Sequence, residues 1–190
     1  YKLSAYGKIP LAALYTTGYL DANDSKAMDM TIDFNEADMA VIPLITPTVK
    51  DATGALKGVV HVTGTIDQPE AYGTVSVRNG TMKIKTVGNE LKNIDGDLIF
   101  SGQQVDFQSR ISAGKGSAGF AAKVNWTGHE MTNYRMAVQL DDFDLANEYI
   151  SGPLKGELYI AEKDGIPTLM GNLNLENMKF KIQLSLETSE

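Results

Sequence analysis

Apolar and polar residues alternate along most of this chain, and the pattern seldom follows a helical period. Met28, Met30, Ile32 and Phe34 alternate with Asp29, Thr31 and Asp33, which predicts a half-buried strand. Val60 and Val62 face one way, and Val59, His61, Thr63 and Thr65 the other. The chain turns at Asp67 to Glu70 and runs back through Gly73 to Val77. The meander continues through Met82, Ile84, Leu98, Phe100, Val105, Phe107 and Ile111, then Phe120, Ala122, Val124 and Trp126, then Tyr134, Met136, Val138 and Leu140. Turns are expected at Asn79-Gly80, whose residues both accept positive φ, and at Gly88-Asn89, Asp95-Gly96 and Ser101-Gly102. Two more are expected, one holding Gly114, Gly116 and Gly119 and one over Gly128 to Asn133.

Before this meander, Tyr1 to Ile9 reads as a strand, Pro10 to Leu14 as one helical turn and Asp21 to Lys26 as a polar turn, with Tyr15 to Leu20 open to either class. Asn35 is placed to cap a short helix near Asp38, and Pro43 and Pro47 keep that helix short.

One stretch occurs twice. Leu56-Lys57-Gly58 returns 98 residues later as Leu154-Lys155-Gly156, Pro69 as Pro167, Gly73 as Gly171 and Asn79 as Asn177. Val60, Val62, Val75, Val77, Met82 and Ile84 return as Leu158, Ile160, Leu173, Leu175, Phe180 and Ile182. A weaker match precedes each copy, so the repeated unit spans 28–84 and 134–182, with a longer Val41 to Thr53 connection in the first copy. The unit reads as a strand, a proline-bearing loop, a second strand, a turn and the start of a third.

Every strand therefore has one wet and one apolar face, with almost no helix to cover the latter. The expected fold is all-β: roughly twelve to fourteen short antiparallel strands in one long sheet, whose apolar face is buried by curling on itself, by a second sheet or by a ligand, with the repeat favouring an open-ended, folded-over sheet. The 190 residues read as one such unit, a segment of a longer repeat chain, with one or two short helices in its connections.

Composition then removes whole classes of function. A net charge of −7 disfavours nucleic acid, which requires clustered Lys and Arg. With no cysteine there is neither a disulfide scaffold nor a thiolate metal site. His61 and His129 lack ligand spacing, and Asp141, Asp142 and Asp144 lack the glycine and distal glutamate of a calcium loop and read as a solvated turn. Gly114-Lys115-Gly116-Ser117 lacks the order of a phosphate loop, and no serine sits in a nucleophile elbow. No enzyme activity, cofactor or metal is expected.

The run Gly54-Ala55-Leu56-Lys57-Gly58-Val59-Val60-His61-Val62-Thr63-Gly64-Thr65-Ile66-Asp67-Gln68-Pro69, followed by Gly73-Thr74-Val75-Ser76-Val77-Arg78-Asn79-Gly80, resembles the conserved repeat of the TamB family. So do Leu91 to Phe100 and Ile111 to Gly116. The TamB family is the translocation and assembly module inner-membrane subunit, within the AsmA-like bridge-like lipid transfer proteins. The resemblance implies a β-taco trough, a periplasmic location within an inner-membrane-anchored parent chain, and phospholipid transport between the membranes. It also implies an outer-membrane barrel assembly partner of the TamA/BamA type, and no catalytic residues.

By alternation the inward row comprises Val60, Val62, Val75, Val77, Met82, Ile84, Leu98, Phe100, Phe107, Phe120, Val124, Trp126, Met136, Val138, Leu140, Leu158, Ile160, Leu173, Leu175, Phe180 and Ile182. Three readings fit it: a groove for phospholipid acyl chains, a chaperone-like module that offers a strand edge to outer-membrane or autotransporter clients, and a self-packed structural scaffold or adhesin repeat. Dimerisation through exposed edges at the two ends of the sheet is a further expectation.

Overall fold

An extended segment cannot satisfy its own backbone, so each alternating run must pair with a neighbour, and short connections make that neighbour the next in sequence. The computed structural model describes residues 3–9, 27–163 and 166–181. Among them, eleven strands form one antiparallel sheet: β1 (Leu3–Lys8), β2 (Asp29–Asp38), β3 (Val49–Gly64), β4 (Pro69–Ile84), β5 (Glu90–Gly102), β6 (Gln104–Ala113), β7 (Gly116–Thr127), β8 (Glu130–Ala146), β9 (Ile150–Lys163), β10 (Ile166–Asn174) and β11 (Lys179–Phe180). The order from β1 to β10 is sequential, and β11 continues along β9 past the end of β10. The fold is an all-β, open, β-taco-like sheet. The helical turn expected at Pro10 to Leu14, the turn at Asp21 to Lys26 and the inward residue Ile182 lie outside the described residues.

The strands are longer than alternation predicts, β8 reaching seventeen residues, because several expected turns are bulges instead. Asn79 has φ 51° yet lies within β4, so Asn79-Gly80 is not a hairpin. Asp95-Gly96 stays inside β5, where Asn93 takes φ 50°. Asp141, Asp142 and Asp144 belong to β8, with Asp142 at φ 47°, rather than to a turn. Gly116 and Gly119 lie in β7, and only Gly128 and His129 separate β7 from β8. The reason is the same in each case. Positive φ absorbs one extra residue wherever the chain on both sides of it still finds a partner strand, and only an unpartnered flank turns the same chemistry into a hairpin.

These bulges align. Register shifts fall between Asn35 and Ala37 on β2, Thr53 and Ala55 on β3, Val77 and Gly80 on β4, Lys92 and Asp95 on β5, and Leu140 and Phe143 on β8. Bulges bend the strand that holds them, so a row of them running across the sheet is a crease. Arg78 braces it on the polar side, donating to the carbonyls of Val77 and Gly96, while the Asn79 amide donates to Asp95 Oδ1.

Two dry clusters line the apolar side of the crease and the short arm beyond it. Leu91, Ile94, Ala113, Ala118 and Phe143 form the larger. Met39, Val49 and Ala52 form the other. Met39 starts a 3-10 turn (Met39–Val41) that runs into α1 (Ile42–Ile45), and the cap is Asp38, whose Oδ1 accepts from the Ala40 amide, not Asn35, which stays paired in β2. Pro43 near the start and Pro47 past the end hold α1 to one turn. Because β3 already begins at Val49, the connection is shorter than the expected Val41 to Thr53, and it lies against the apolar face. Gly80 makes that approach possible: a Cβ there would sit 2.8 Å from Met39 Sδ.

Positions that recur in sequence share their backbone state. Phe34, Ile32 and Met30 face Gly58, Val60 and Val62; Leu140, Val138 and Met136 face Gly156, Leu158 and Ile160 in the same register. The positive φ of the bulge residues Glu36 and Asn79 returns at Asp142 in β8 and at Asn177 in the turn between β10 and β11, with φ of 61°, 51°, 47° and 65°. Copy two interrupts the second strand between β10 and β11, whereas β4 is continuous; Arg78, the brace of the crease, corresponds to Glu176.

Gly58 is held at φ 152° with its missing Cβ 2.0 Å from the Thr74 carbonyl oxygen. Gly58→Val is expected to cost on the order of 3 kcal/mol or to prevent folding, while Gly119→Ala stays within about 0.5 kcal/mol, both read from urea unfolding. Equal midpoints for the two variants would contradict the assigned backbone.

Candidate functional site

Opposed residues of an antiparallel pair point to the same side, so register assigns every side chain to a face. Val60 and Val62 on β3, Val75 and Val77 on β4, and Leu98 and Phe100 on β5 share one face. Phe107 on β6, Phe120 and Val124 on β7, Met136, Val138 and Leu140 on β8, Leu158 and Ile160 on β9, and Leu173 on β10 continue it. Met82 and Ile84 pack beneath the crease on that side, and Trp126 follows Val124 past a small bulge. Leu175 falls after β10 and is half exposed, and Phe180 pairs with Ile150 at 64% exposure. Sequence reasoning left out Leu56, Leu91, Ile94, Phe143 and Leu169, which belong to the same face. Bulges shift the parity of Leu91 and Phe143 relative to the long-arm positions of their strands, Leu169 has Ala71 as its counterpart in the first copy, and Leu56 and Ile94 keep the parity of the row at its far end.

The face is not uniform. Val77, Met82, Ile84, Phe120 and Leu140 pack against the larger dry cluster at the crease. On the long arm, Val62, Leu98, Phe100, Phe107, Val124, Met136 and Ile160 are only half-buried and belong to neither cluster. Ser109 sits between these zones, buried, its Oγ without a partner. Toward β10 the face opens to solvent, with Leu169 and Leu173 exposed.

Both ends of the folded sheet are fastened across a short hairpin. On the short-arm side, β5 and β8 overreach the β6–β7 turn: the Ala146 amide donates to the Val87 carbonyl at 3.0 Å, Asn147 Nδ2 to the Thr86 carbonyl at 2.8 Å, and Asn89 Nδ2 to the Asp144 carbonyl at 2.8 Å. At the opposite end, among the described residues, the fastening is a single side chain. Trp126 Nε1 donates to the Pro69 carbonyl at 3.1 Å, bridging β7 and β4 over the β5–β6 turn.

The other face is polar and charged. Arg78 Nη2 and Ser76 Oγ both donate to Asp97 Oδ1, at 2.7 and 2.6 Å, and hold its carboxyl below the usual carboxylate range, the serine hydroxyl contributing most. Tyr159 and Gln139 donate to Glu157 and lower it likewise. His61 contacts Thr31 and Asp29 on this exposed side, and His129 is exposed in its turn. Two adjoining concavities of about 450 and 470 Å³ lie here, floored by Gly119, Ala121, Ala137 and Ala161 and flanked by Tyr159. Alanines at outward positions of β7, β8 and β9 were the sequence signal for this hollow.

A family model described as the TamB C-terminal domain matches residues 12–177. The chain belongs to the TamB C-terminal domain family. No curated protein and no solved structure matches it. The family is one of non-enzymatic transport and scaffold proteins. Among the described residues no cluster of three acidic, histidine or cysteine side chains is placed to hold a metal, and no helix is long and apolar enough to cross a membrane. What this TamB domain presents is therefore surface: a continuous apolar face, dry at the crease and open along one arm.

Trp126→Phe removes the indole donor while keeping an aromatic ring. It is expected to cost about 1 kcal/mol and to speed amide exchange at residues 66–70 and 126–130, leaving 144–147 unchanged. Uniform acceleration would mean that the Trp126 bond does not fasten that end. Asp97, whose pKa is lowered in the fold, contributes stability that is complete above the ordinary carboxylate range and is lost as pH falls below that range through the lowered value. The difference in urea midpoint between wild type and Asp97→Asn should accordingly be larger at neutral pH than at pH near 3.

Proposed function

We propose that this TamB domain is a periplasmic segment of an inner-membrane-anchored bridge, and that the apolar face of its long arm shields phospholipid acyl chains in transit between the two membranes. The observation that carries this reading is the half-buried set of Val62 on β3, Leu98 on β5, Phe107 on β6, Val124 on β7, Met136 on β8 and Ile160 on β9, which joins neither dry cluster although Val60, Val75 and Val138 beside it are buried. A self-packed sheet would have buried these side chains as deeply as Leu91 or Ile94, which are 2% and 4% exposed.

The energetics need no specific polar contact. Each methylene withdrawn from water contributes about 0.8 kcal/mol, so one acyl chain laid along the row is held by area alone. Neighbouring positions offer similar apolar area, so the chain moves along the crease without crossing a deep minimum. The head group stays in water beside the charged outer face. The crease keeps the two arms a fixed distance apart, and the Trp126 bond limits how far one end opens. In the same reading, the repeated units 28–84 and 134–182 extend the trough by addition, and an outer-membrane barrel assembly protein of the TamA/BamA type receives its far end.

The test is a photo-crosslinking residue at Phe107, with its neighbour Gln108 on the polar face as control, in the protein mixed with phospholipid vesicles. Mass spectrometry should find phospholipid adducts at 107 and not at 108. Adducts at neither position, or equally at both, would refute an acyl-chain groove on this face. A charge within the row, as in Phe100→Asp, is expected to reduce the Phe107 adduct at least about tenfold while the protein still folds, since Phe100 is only half-buried.

A further inference from the structure

Positions six strands apart correspond in this sheet, so that β7, β8 and β9 stand to one another as β1, β2 and β3 do. On the polar face the first set is filled. Tyr6, Thr31 and His61 lie side by side in one row, with a 3.2 Å hydrogen bond between Thr31 Oγ1 and His61 Nδ1. His61 Nε2 lies 3.3 Å from Asp29 Oδ1, and Lys8 stands directly opposite Asp29. In the second set the same row reads Ala121, Ala137 and Tyr159, and the charged pair becomes Lys123 opposite Arg135. Two changes therefore coincide: side chains are cut back to methyls, and a complementary pair becomes a like-charged one.

The concavity of about 470 Å³ over Ala121, Ala137 and Ala161 is the result of the first change. Tyr159, its hydroxyl donating to Glu157 at 2.7 Å, and Met170 wall one side, while Lys123 and Arg135 close one end. The hollow sits on interior strands, each paired on both sides. β11, by which the chain leaves the described region, lies against Ser151 and Ile150, about 30 Å along β9 from Tyr159.

The second change leaves a charge unanswered. Like charges directly opposed across two strands cost stability. Lys123 is compensated by Asp106 at 3.1 Å, in the least exposed ion pair of the described residues, at 32% and 31%. Arg135 stands beside it with no carboxylate partner among the described residues. A guanidinium is a planar fork that matches a carboxylate through two parallel hydrogen bonds. The hollow itself is one layer of side chains deep over a flat floor of methyls, so it accepts a flat apolar body and not a globular one.

We propose that this hollow is a binding site for a small planar aromatic carboxylate. The ring system lies over the methyls of Ala121 and Ala137 against the Tyr159 ring, and the carboxylate takes the free guanidinium of Arg135, with Lys123 adding attraction from the opposed position. Glu157 beyond the other end of the row repels the anion and so fixes the direction in which the ligand lies. The site is on the face opposite the acyl-chain row and does not depend on lipid occupying that row.

The test uses the protein with carbon-13 alanine methyls and 2-naphthoate as the probe. Ring-current shifts at Ala121, Ala137 and Ala161 should saturate with a dissociation constant on the order of 1 mM, as expected for a ligand of that size. The methyls of Ala52, Ala113 and Ala118, packed in the dry clusters of the other face, should stay where they are. Arg135→Gln, at an exposed position, should weaken binding about fivefold, and the uncharged 2-naphthalenemethanol should bind the wild type about fivefold more weakly than the acid. Ala137→Leu fills the hollow and should abolish the shifts at Ala121 and Ala161. Equal affinity for the acid and the alcohol, shifts that appear first at Ala113 and Ala118, or no shift at about 10 mM probe would overturn the proposal.

Discussion

A sheet with one apolar face and no helix layer has to bury that face against itself, and everything else in this structure follows from how it does so. The solution is a crease. Bulges at Glu36, Asn79, Asn93 and Asp142 fall in line across the strands, each absorbing one residue at positive φ and bending its strand toward the apolar side. Below the crease Leu91, Ile94, Ala113, Ala118 and Phe143 close into a dry core. Above it the same face stays half-open. A closed barrel would have removed the edges but also the opening, and a flat sheet would have left the whole face wet.

The crease explains why the polar and apolar sides share so little chemistry. On the apolar side its parts touch by packing, with Met39 seated over Gly80 and Ala52. On the polar side it is held by charge-assisted hydrogen bonds from Arg78 to two carbonyls and to Asp97. Exposed ion pairs such as Lys57 with Glu36 or Lys155 with Asp141 add little on their own. Arg78 matters because it donates to two carbonyls on adjacent strands at the edge of the bulge. Where the second copy has Glu176, the strand breaks into β10 and β11.

Fastening at the two ends is unequal, and that inequality bears on function. Three hydrogen bonds tie the Thr86–Asn89 turn to the end of β8, whereas one indole joins β7 to β4 at the other end. With one such bond against three, the Trp126 end is the cheaper one to open. The half-buried row lies on that same long arm, beside the end with fewer fastening bonds.

Alternation along the chain determined the class of the fold, the face to which each long-arm side chain belongs and the repeat from Leu56 onward, because a period of two and a fixed spacing of glycines are local properties. Tertiary structure decided where the strands bend. Asn79-Gly80 and Asp95-Gly96 carry the same turn chemistry as Ser101-Gly102, yet only the last is a turn, since the outcome rests on whether distant strands remain available to pair. It likewise decided that Val77, Met82 and Phe120 pack dry while Val62, Phe107 and Met136 do not. Burial depends on which strands the crease brings together, and no single strand contains that information.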